Sequence, residues 1–143
     1  MILIDANLLL YAYDASSPRH EQARAWLEST LTGDEEVRFS LHTLLAFVRI
    51  ATNPAVFERP LPTAEAIGFV REWLDLPSVA VAEPTARHWS LLDDVAATGQ
   101  ARGALVMDAH LAALAIEHGA TLCTTDRDFA RFPMLRSRDP LLR

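Results

Sequence analysis

The sequence predicts an α/β protein built around a mainly parallel sheet. Short apolar runs alternate along the chain with longer stretches of helical periodicity, a pattern typical of βαβ units. Half of the 143 residues are hydrophobic and 22% are charged, which is the composition of a folded globular chain rather than a disordered one. At this length we expect one domain over residues 1–143.

Four short apolar runs and a weaker fifth are the predicted strands, since each is too short for a helix that could bury a face. In chain order they are Ile2–Ile4, Val37–Phe39, Val79–Val81, Thr121–Cys123 and a last short strand near Leu135.

Five longer segments carry the periodicity of helices. Gly119 is expected to end the last of them, because glycine accepts the left-handed conformation that closes many helices. Pro54, Pro60 and Pro62 interrupt the chain between the two middle helices and predict a loop or a kinked helical connection there. The predicted helices lie near Pro18–Leu31, His42–Thr52, Thr63–Leu74, Thr85–Thr98 and Ala104–His118.

Composition and motifs exclude several functions. The net charge of −6 argues against a simple basic nucleic-acid binder. All thirteen cationic side chains are arginine, which excludes Schiff-base chemistry and a P-loop lysine. Dinucleotide, nucleophile-elbow and zinc-protease motifs do not occur, and the five histidines show no metal-ligand spacing. The single Cys123 fits a reducing cytoplasm, and the sequence predicts neither a membrane segment nor a secretory signal.

Asp5 is a carboxylate placed in an apolar run. Within the opening MILIDANLLLYAY only Asp5 and Asn7 are not hydrophobic. An ionised group in apolar surroundings costs several kcal/mol unless it is paired or coordinated. Either Asp5 reaches water at the end of its strand, or it has a specific partner.

Asp108 also opposes the local pattern. At roughly 100° per residue it lies among the apolar side chains of its helix, while His110 and Glu117 lie together on the opposite side. Its place in the first turn, where the helix dipole favours negative charge, is the alternative explanation.

Asp126 follows an apolar strand as Asp5 does. Thr125, with Asp128 three residues later, is also typical of a capping box, so Asp126 and Asp128 could be first-turn acids of a short helix. In a parallel sheet, however, sites form beyond the carboxyl ends of the strands. Three acids converging there would repel one another unless a divalent cation held them, and carboxylate oxygens suit Mg²⁺ or Mn²⁺. We therefore interpret Asp5 as a metal ligand.

Three blocks resemble a known family in order and spacing. ILIDANLLLYAYD, LLAFVRIATNPAVF and MDAHLAALAIEHGATLCTTDRDFARFP are similar to PIN-domain ribonucleases, and specifically to VapC-type toxins of bacterial toxin–antitoxin pairs. The resemblance implies a three-layer α/β/α domain with a parallel sheet. It also implies an endoribonuclease that uses Mg²⁺ or Mn²⁺ on cellular RNA, a small antitoxin partner and a homodimer.

Carried over by position, the resemblance makes Asp5 and Asp108 metal-binding acids and Asp126 the last catalytic acid of the set. Asn7 matches a polar residue beside the first acid, and Thr125 and Asp128 are candidates for support. One departure concerns the helix of LLAFVRI, where many relatives carry a glutamate and this chain has Ala46. The number of bound ions is therefore open.

Three arginines follow or precede the acids closely enough to contact RNA phosphates: Arg102, Arg127 and Arg131.

The alternative from another class is a PIN-like scaffold that binds RNA or a partner without cutting, which the missing glutamate favours. A metal-dependent phosphatase is a third reading, weakened because Asp5 is followed by Ala6 and Asn7 rather than by a second acid.

Overall fold

The chain folds around a five-stranded sheet whose strands are all parallel. The computed structural model describes residues 1–142; Arg143, the last residue of the predicted domain, lies outside the described residues. In chain order the strands are β1 (Ile2–Ile4), β2 (Val37–Phe39), β3 (Val79–Val81), β4 (Thr121–Cys123) and β5 (Ser137–Arg138).

Within residues 1–142, six α-helices and one 3₁₀ helix connect the strands. They are α1 (Ala6–Tyr13), α2 (His20–Leu31), α3 (Leu41–Ala51), α4 (Thr63–Leu74), α5 (His88–Gly99), α6 (Leu105–Glu117) and the 3₁₀ helix Arg127–Arg131. None of the helices within residues 1–142 is long and apolar enough to cross a membrane.

The sheet separates two apolar cores, so the molecule has three layers. Ile2 and Ile4 point into the core formed with α1 to α4, whereas Leu3 points into the core formed with α5 and α6. This alternation follows from the two-residue period of a strand. The α/β/α sandwich predicted from the sequence is confirmed, and the entry of both β1 and β5 into one sheet supports our proposal of a single domain.

The strand order β3-β2-β1-β4-β5 reverses direction between β1 and β4. Strands β2 and β3 are added on one side of β1, and β4 and β5 on the other. Helices that leave these strands therefore diverge at the carboxyl ends of β1 and β4 and open a crevice, which is where parallel α/β sheets bind ligands.

The structure adds a helix that the sequence analysis does not predict. Helix α1 begins directly after Asp5, whose carboxylate accepts the backbone N–H of Ala6 at 2.7 Å and so caps the helix. Its residues are apolar on almost every side, so the sequence lacks the polar stripe that marks a surface helix. Helix α1 is instead covered by α2 and α3, and Leu8 and Leu9 are fully buried.

Most predicted bounds are confirmed to within a few residues, and the exceptions have local causes. Helix α5 begins at His88 rather than Thr85 because a turn precedes it, with the N–H of His88 donating to the carbonyl of Thr85. Strand β5 begins at Ser137, two residues after Leu135, whose side chain packs into the second core. Gly119 ends α6 with φ of +66°, as predicted.

Candidate active site

Asp5 lies at the carboxyl end of β1 and has the specific partner that its position demands. Its Oδ2 accepts the hydroxyl of Thr124 at 2.7 Å, and its Oδ1 accepts the N–H of Ala6. Burial raises the pKa of the Asp5 carboxyl above its ordinary value, while these two hydrogen bonds and the charge of His42 oppose the rise and Asp126 adds to it. The polar contacts thus hold a carboxylate in place where burial alone would favour its protonation.

Thr124 is a residue that the sequence analysis missed. It is buried and follows β4 directly, and its oxygen also accepts the N–H of Asp126 at 3.0 Å and, at 3.4 Å, the side-chain amide of Asn7. One hydroxyl therefore joins the ends of β1 and β4. The hydroxyl that contacts Asp5 belongs to Thr124, and support from the neighbouring Thr125 stays a prediction. No local sequence signal marks Thr124, because the pairing of Ile4 with Cys123 that brings it to Asp5 is a tertiary contact.

Asp126 caps the 3₁₀ helix that follows β4. Its Oδ1 accepts the N–H of Asp128 at 2.9 Å, so the helix start is capped by Asp126 itself rather than through the box of Thr125 and Asp128. Both acids are exposed. Capping engages one oxygen of the Asp126 carboxylate and so restricts the orientation of this side chain.

Asp108 occupies the first turn of α6, as predicted, and is half-buried. Carboxylate oxygens of Asp108, Asp126 and Asp128 all lie within 4.8 Å of one another. Burial, followed by the charges of Asp126, Asp5 and Asp128, raises the pKa of Asp108 from 3.8 to about 6, against an opposing effect of Arg131. The four acids therefore act on one another electrostatically, with Asp5 beside the close triangle of the other three.

The donor set fits a hard divalent cation. Three carboxylates at this spacing offer only oxygen ligands, which Mg²⁺ and Mn²⁺ prefer. A further observation lies next to Asp5: among residues 1–142, the Oδ1 of Asn7 is a buried acceptor without a hydrogen-bond partner. An unsatisfied buried acceptor costs about 1–3 kcal/mol, so this atom suits a ligand or water at the carboxylate cluster.

The three candidate RNA-binding arginines differ in their surroundings. Arg102, in the loop before α6, and Arg127 are exposed. Arg131 is half-buried, donates to the carbonyl of Gly99 at 3.0 Å and reduces the rise in the pKa of Asp108. Arg131 is thus already engaged by the protein and supplies positive charge beside the acids.

Helix α3, which carries Ala46, contains no acidic residue. Ala46 is half-buried and lies one turn after His42, whose charge acts on Asp5. The fourth carboxylate that many relatives place on this helix is therefore not replaced by another acid of α3.

Comparisons with known proteins agree with this fold. Carboxylates at the switch point of a parallel sheet lie where α/β proteins bind their ligands, and carboxylate oxygens suit a hard divalent cation. The PIN domain family matches residues 2–134, and the chain belongs to the PIN-domain family.

One relative is Ribonuclease VapC37 of Mycobacterium tuberculosis, 44% identical over 140 residues that cover 98% of this chain and 97% of the relative. Among solved structures, VapBC2 from Rickettsia felis, bound to a DNA fragment from their promoter, has a TM-score of 0.66 at 16% identity, over 96% of this chain and 98% of that one. VapC20 of M. tuberculosis, a toxin that cleaves the sarcin–ricin loop, has a TM-score of 0.67 at 18% identity, over 91% and 93%. The resemblance drawn from the three sequence blocks is confirmed.

Proposed function

We propose that this protein is a VapC-type endoribonuclease that depends on Mg²⁺ or Mn²⁺ and serves as the toxin of a toxin–antitoxin pair. The observation that carries the proposal is the convergence of Asp108, Asp126 and Asp128 within 4.8 Å, beside Asp5, at the switch point of the sheet. Acids held together in this way repel one another, and a divalent cation relieves that repulsion.

Asp5, Asp108 and Asp126 are the proposed catalytic ligands of the cation, with Asn7, Thr125 and Asp128 in supporting positions. When bound, the ion would lower the pKa of the attacking water and neutralise the negative charge that develops on the phosphodiester. The residues of the chain provide orientation: Thr124 fixes the Asp5 carboxylate from one side and the Ala6 N–H fixes it from the other. Asp128 extends the carboxylate cluster on the solvent side.

RNA is the proposed substrate, and local positive charge is what attracts it to an acidic protein. Arg102 and Arg127 are exposed and lie close in sequence to Asp108 and Asp126, so they are available for direct contact with phosphates. Arg131, held on Gly99, would act mainly through its charge. Phosphate contacts of this kind carry no sequence information, so they position the RNA without selecting its bases.

A second candidate, a scaffold that binds RNA without cutting it, is favoured by the absence of an acid on α3. An assay of cleavage separates the two. We expect purified protein to cut a sarcin–ricin-loop hairpin or total cellular RNA with Mg²⁺ or Mn²⁺, and to lose this activity in EDTA. Binding without cleavage under all three conditions would favour the scaffold, and cleavage that persists in EDTA would contradict the metal dependence.

The antitoxin is proposed to bind a groove on the layer of α1 to α4. The groove has a volume of about 320 Å³ and is lined mainly by apolar side chains, among them Tyr13, Phe47, Phe57 and Leu61, together with the charged Glu58 and Arg59. An apolar groove with a few charges suits an amphipathic segment of a small partner protein.

The homodimer remains a prediction that sedimentation velocity measures directly, and the cytoplasm is the proposed location, consistent with the free thiol of Cys123.

Phe57→Asp is expected to weaken antitoxin binding at least tenfold and to leave RNA cleavage unchanged, because a charge in the apolar groove must be desolvated when the partner binds. Pull-down of the protein encoded next to this one, co-expressed with each variant, measures the effect. Trp89→Ser is the matched control, since Trp89 is 79% exposed on α5 in the other layer. Equal recovery of the partner with Phe57→Asp and wild type would place the antitoxin elsewhere.

A further inference from the structure

A chain of polar side chains runs along α6 outside the carboxylate cluster. The side chain of Glu117 is fully buried, and its two oxygens accept the N–H of Thr85 at 2.6 Å and face Nδ1 of His88 at 2.6 Å. His88 is also buried, and its Nε2 lies 2.9 Å from Nδ1 of His110. Residues 110 and 117 share a side of α6 as predicted, but α5 covers that side with His88.

These contacts fix the tautomers of the two rings. A buried carboxylate needs a donor, so His88 carries a proton on Nδ1 and donates it to Glu117. When both rings are neutral, Nε2 of His88 is then an acceptor, and His110 donates its Nδ1–H to it. The lone pair of His110 is thereby placed on Nε2, the nitrogen that faces away from His88.

A third imidazole lies beside His110. The ring of His42, in the first turn of α3, is 6.5 Å from the ring of His110 between centroids and stands edge-on to it at 87°. His42 is exposed and can change its rotamer, whereas His110 is held by the buried chain. Two imidazoles that share a tetrahedral ion at M–N distances of about 2.0–2.1 Å have ring centroids roughly 5 Å apart, so a change of the His42 rotamer must bring its ring about 1.5 Å closer to His110.

We propose that His42 and His110 form a second cation site, selective for a borderline ion such as Zn²⁺, with His88 and Glu117 orienting His110. Imidazole nitrogens suit Zn²⁺, Cu²⁺ and Ni²⁺ rather than Mg²⁺. Metal-binding histidines almost always donate their other ring N–H to a neighbouring acceptor, and the His110–His88–Glu117 chain supplies that interaction. Water completes the coordination on the exposed side of His42.

Calorimetric titration with Zn²⁺ in the presence of excess Mg²⁺ tests the proposal. Wild type is expected to bind one Zn²⁺ that Mg²⁺ does not displace, and His42→Gln and His110→Gln are expected to weaken this binding at least tenfold. Glu117→Gln should weaken it about 10–100-fold, the usual effect of removing an outer partner of a metal-binding histidine. His42→Gln alters an exposed side chain and therefore reports on the site even if His110→Gln unfolds.

Two controls separate this site from the carboxylate cluster. His118→Gln removes another histidine near the end of α6, one that contacts the carbonyl of Glu83, and should leave Zn²⁺ binding unchanged. Asp108→Asn should also leave it unchanged, whether or not the proposed ribonuclease activity depends on that residue. Cu²⁺ added to wild type should show nitrogen hyperfine splitting in its EPR spectrum, lost in His42→Gln. Zn²⁺ binding that survives His42→Gln, or that disappears in Asp108→Asn, would overturn the proposal.

Discussion

Asp108→Asn is expected to reduce RNA cleavage by at least a hundredfold and, in metal-free buffer near pH 7, to raise the melting temperature. The activity falls because the variant removes a charged ligand from a cluster whose oxygens lie within 4.8 Å of one another. The stability rises because burial, followed by repulsion from Asp126, Asp5 and Asp128, disfavours the charged carboxylate at position 108. An amide of the same size removes that repulsion without leaving a cavity.

The raised pKa of Asp108 determines the direction in which the stability of the wild type changes with pH. The folded state raises the pKa of Asp108 from 3.8 to about 6, so between these values the folded protein binds more protons than the unfolded chain. The contribution of Asp108 to stability therefore falls as the pH rises from about 4 to about 6 and stays low above that. The metal-free Asn variant should lack this decline, and the difference in melting temperature from wild type should grow across the same range.

Thermal denaturation from pH 4 to 8, with EDTA or with Mn²⁺, measures both effects. In wild type, Mn²⁺ should raise the melting temperature with the logarithm of its concentration, and this rise should shrink or vanish in the variant. Asp93→Asn, an exposed acid on α5, is the matched control. A cleavage rate equal to that of wild type, or equal Mn²⁺ shifts in Asp108→Asn and wild type, would remove Asp108 from the site.

Thr124→Val is expected to lower cleavage about 10–100-fold, the range seen when a hydrogen-bond partner of a metal ligand is removed. The substitution keeps the shape of the side chain but deletes the hydroxyl that donates to Asp5 and accepts from Asp126 N–H. It also leaves Oδ2 of Asp5 and the backbone N–H of Asp126 without these hydrogen bonds, while Oδ1 of Asp5 keeps the N–H of Ala6, and the loss destabilises the fold by about 1–3 kcal/mol.

Thr124→Ser is the control that distinguishes orientation of Asp5 from general packing. Serine restores the hydroxyl and removes one buried methyl, so it should recover most of the cleavage while remaining somewhat less stable than wild type. Urea denaturation and initial cleavage rates at saturating Mn²⁺ measure the two quantities separately. If serine and valine variants cut RNA equally slowly, the role of Thr124 is packing rather than orientation of the carboxylate.

The sequence by itself determined the elements whose signals are local. Strands such as Ile2–Ile4 are short apolar runs, and helix α4 is bounded by Pro62 and carries ordinary helical periodicity, so both are found where predicted. The acids at positions 5, 108 and 126 were detectable because each interrupts an apolar pattern or follows a strand. Helix α1 was not detectable, because its residues are almost all apolar and the helix therefore shows no polar stripe.

The tertiary structure alone decided which side chains meet across the sheet. Thr124 reaches Asp5 over a separation of 119 residues because β1 and β4 are neighbours at the switch point, which no local pattern specifies. Likewise, His110 and Glu117 form a polar pair on one side of α6, and only the packing of α5 buries them beneath His88. On an exposed helix face these side chains would be solvated. Because burial excludes water from the Glu117 carboxylate, this group takes its hydrogen-bond donors from the protein.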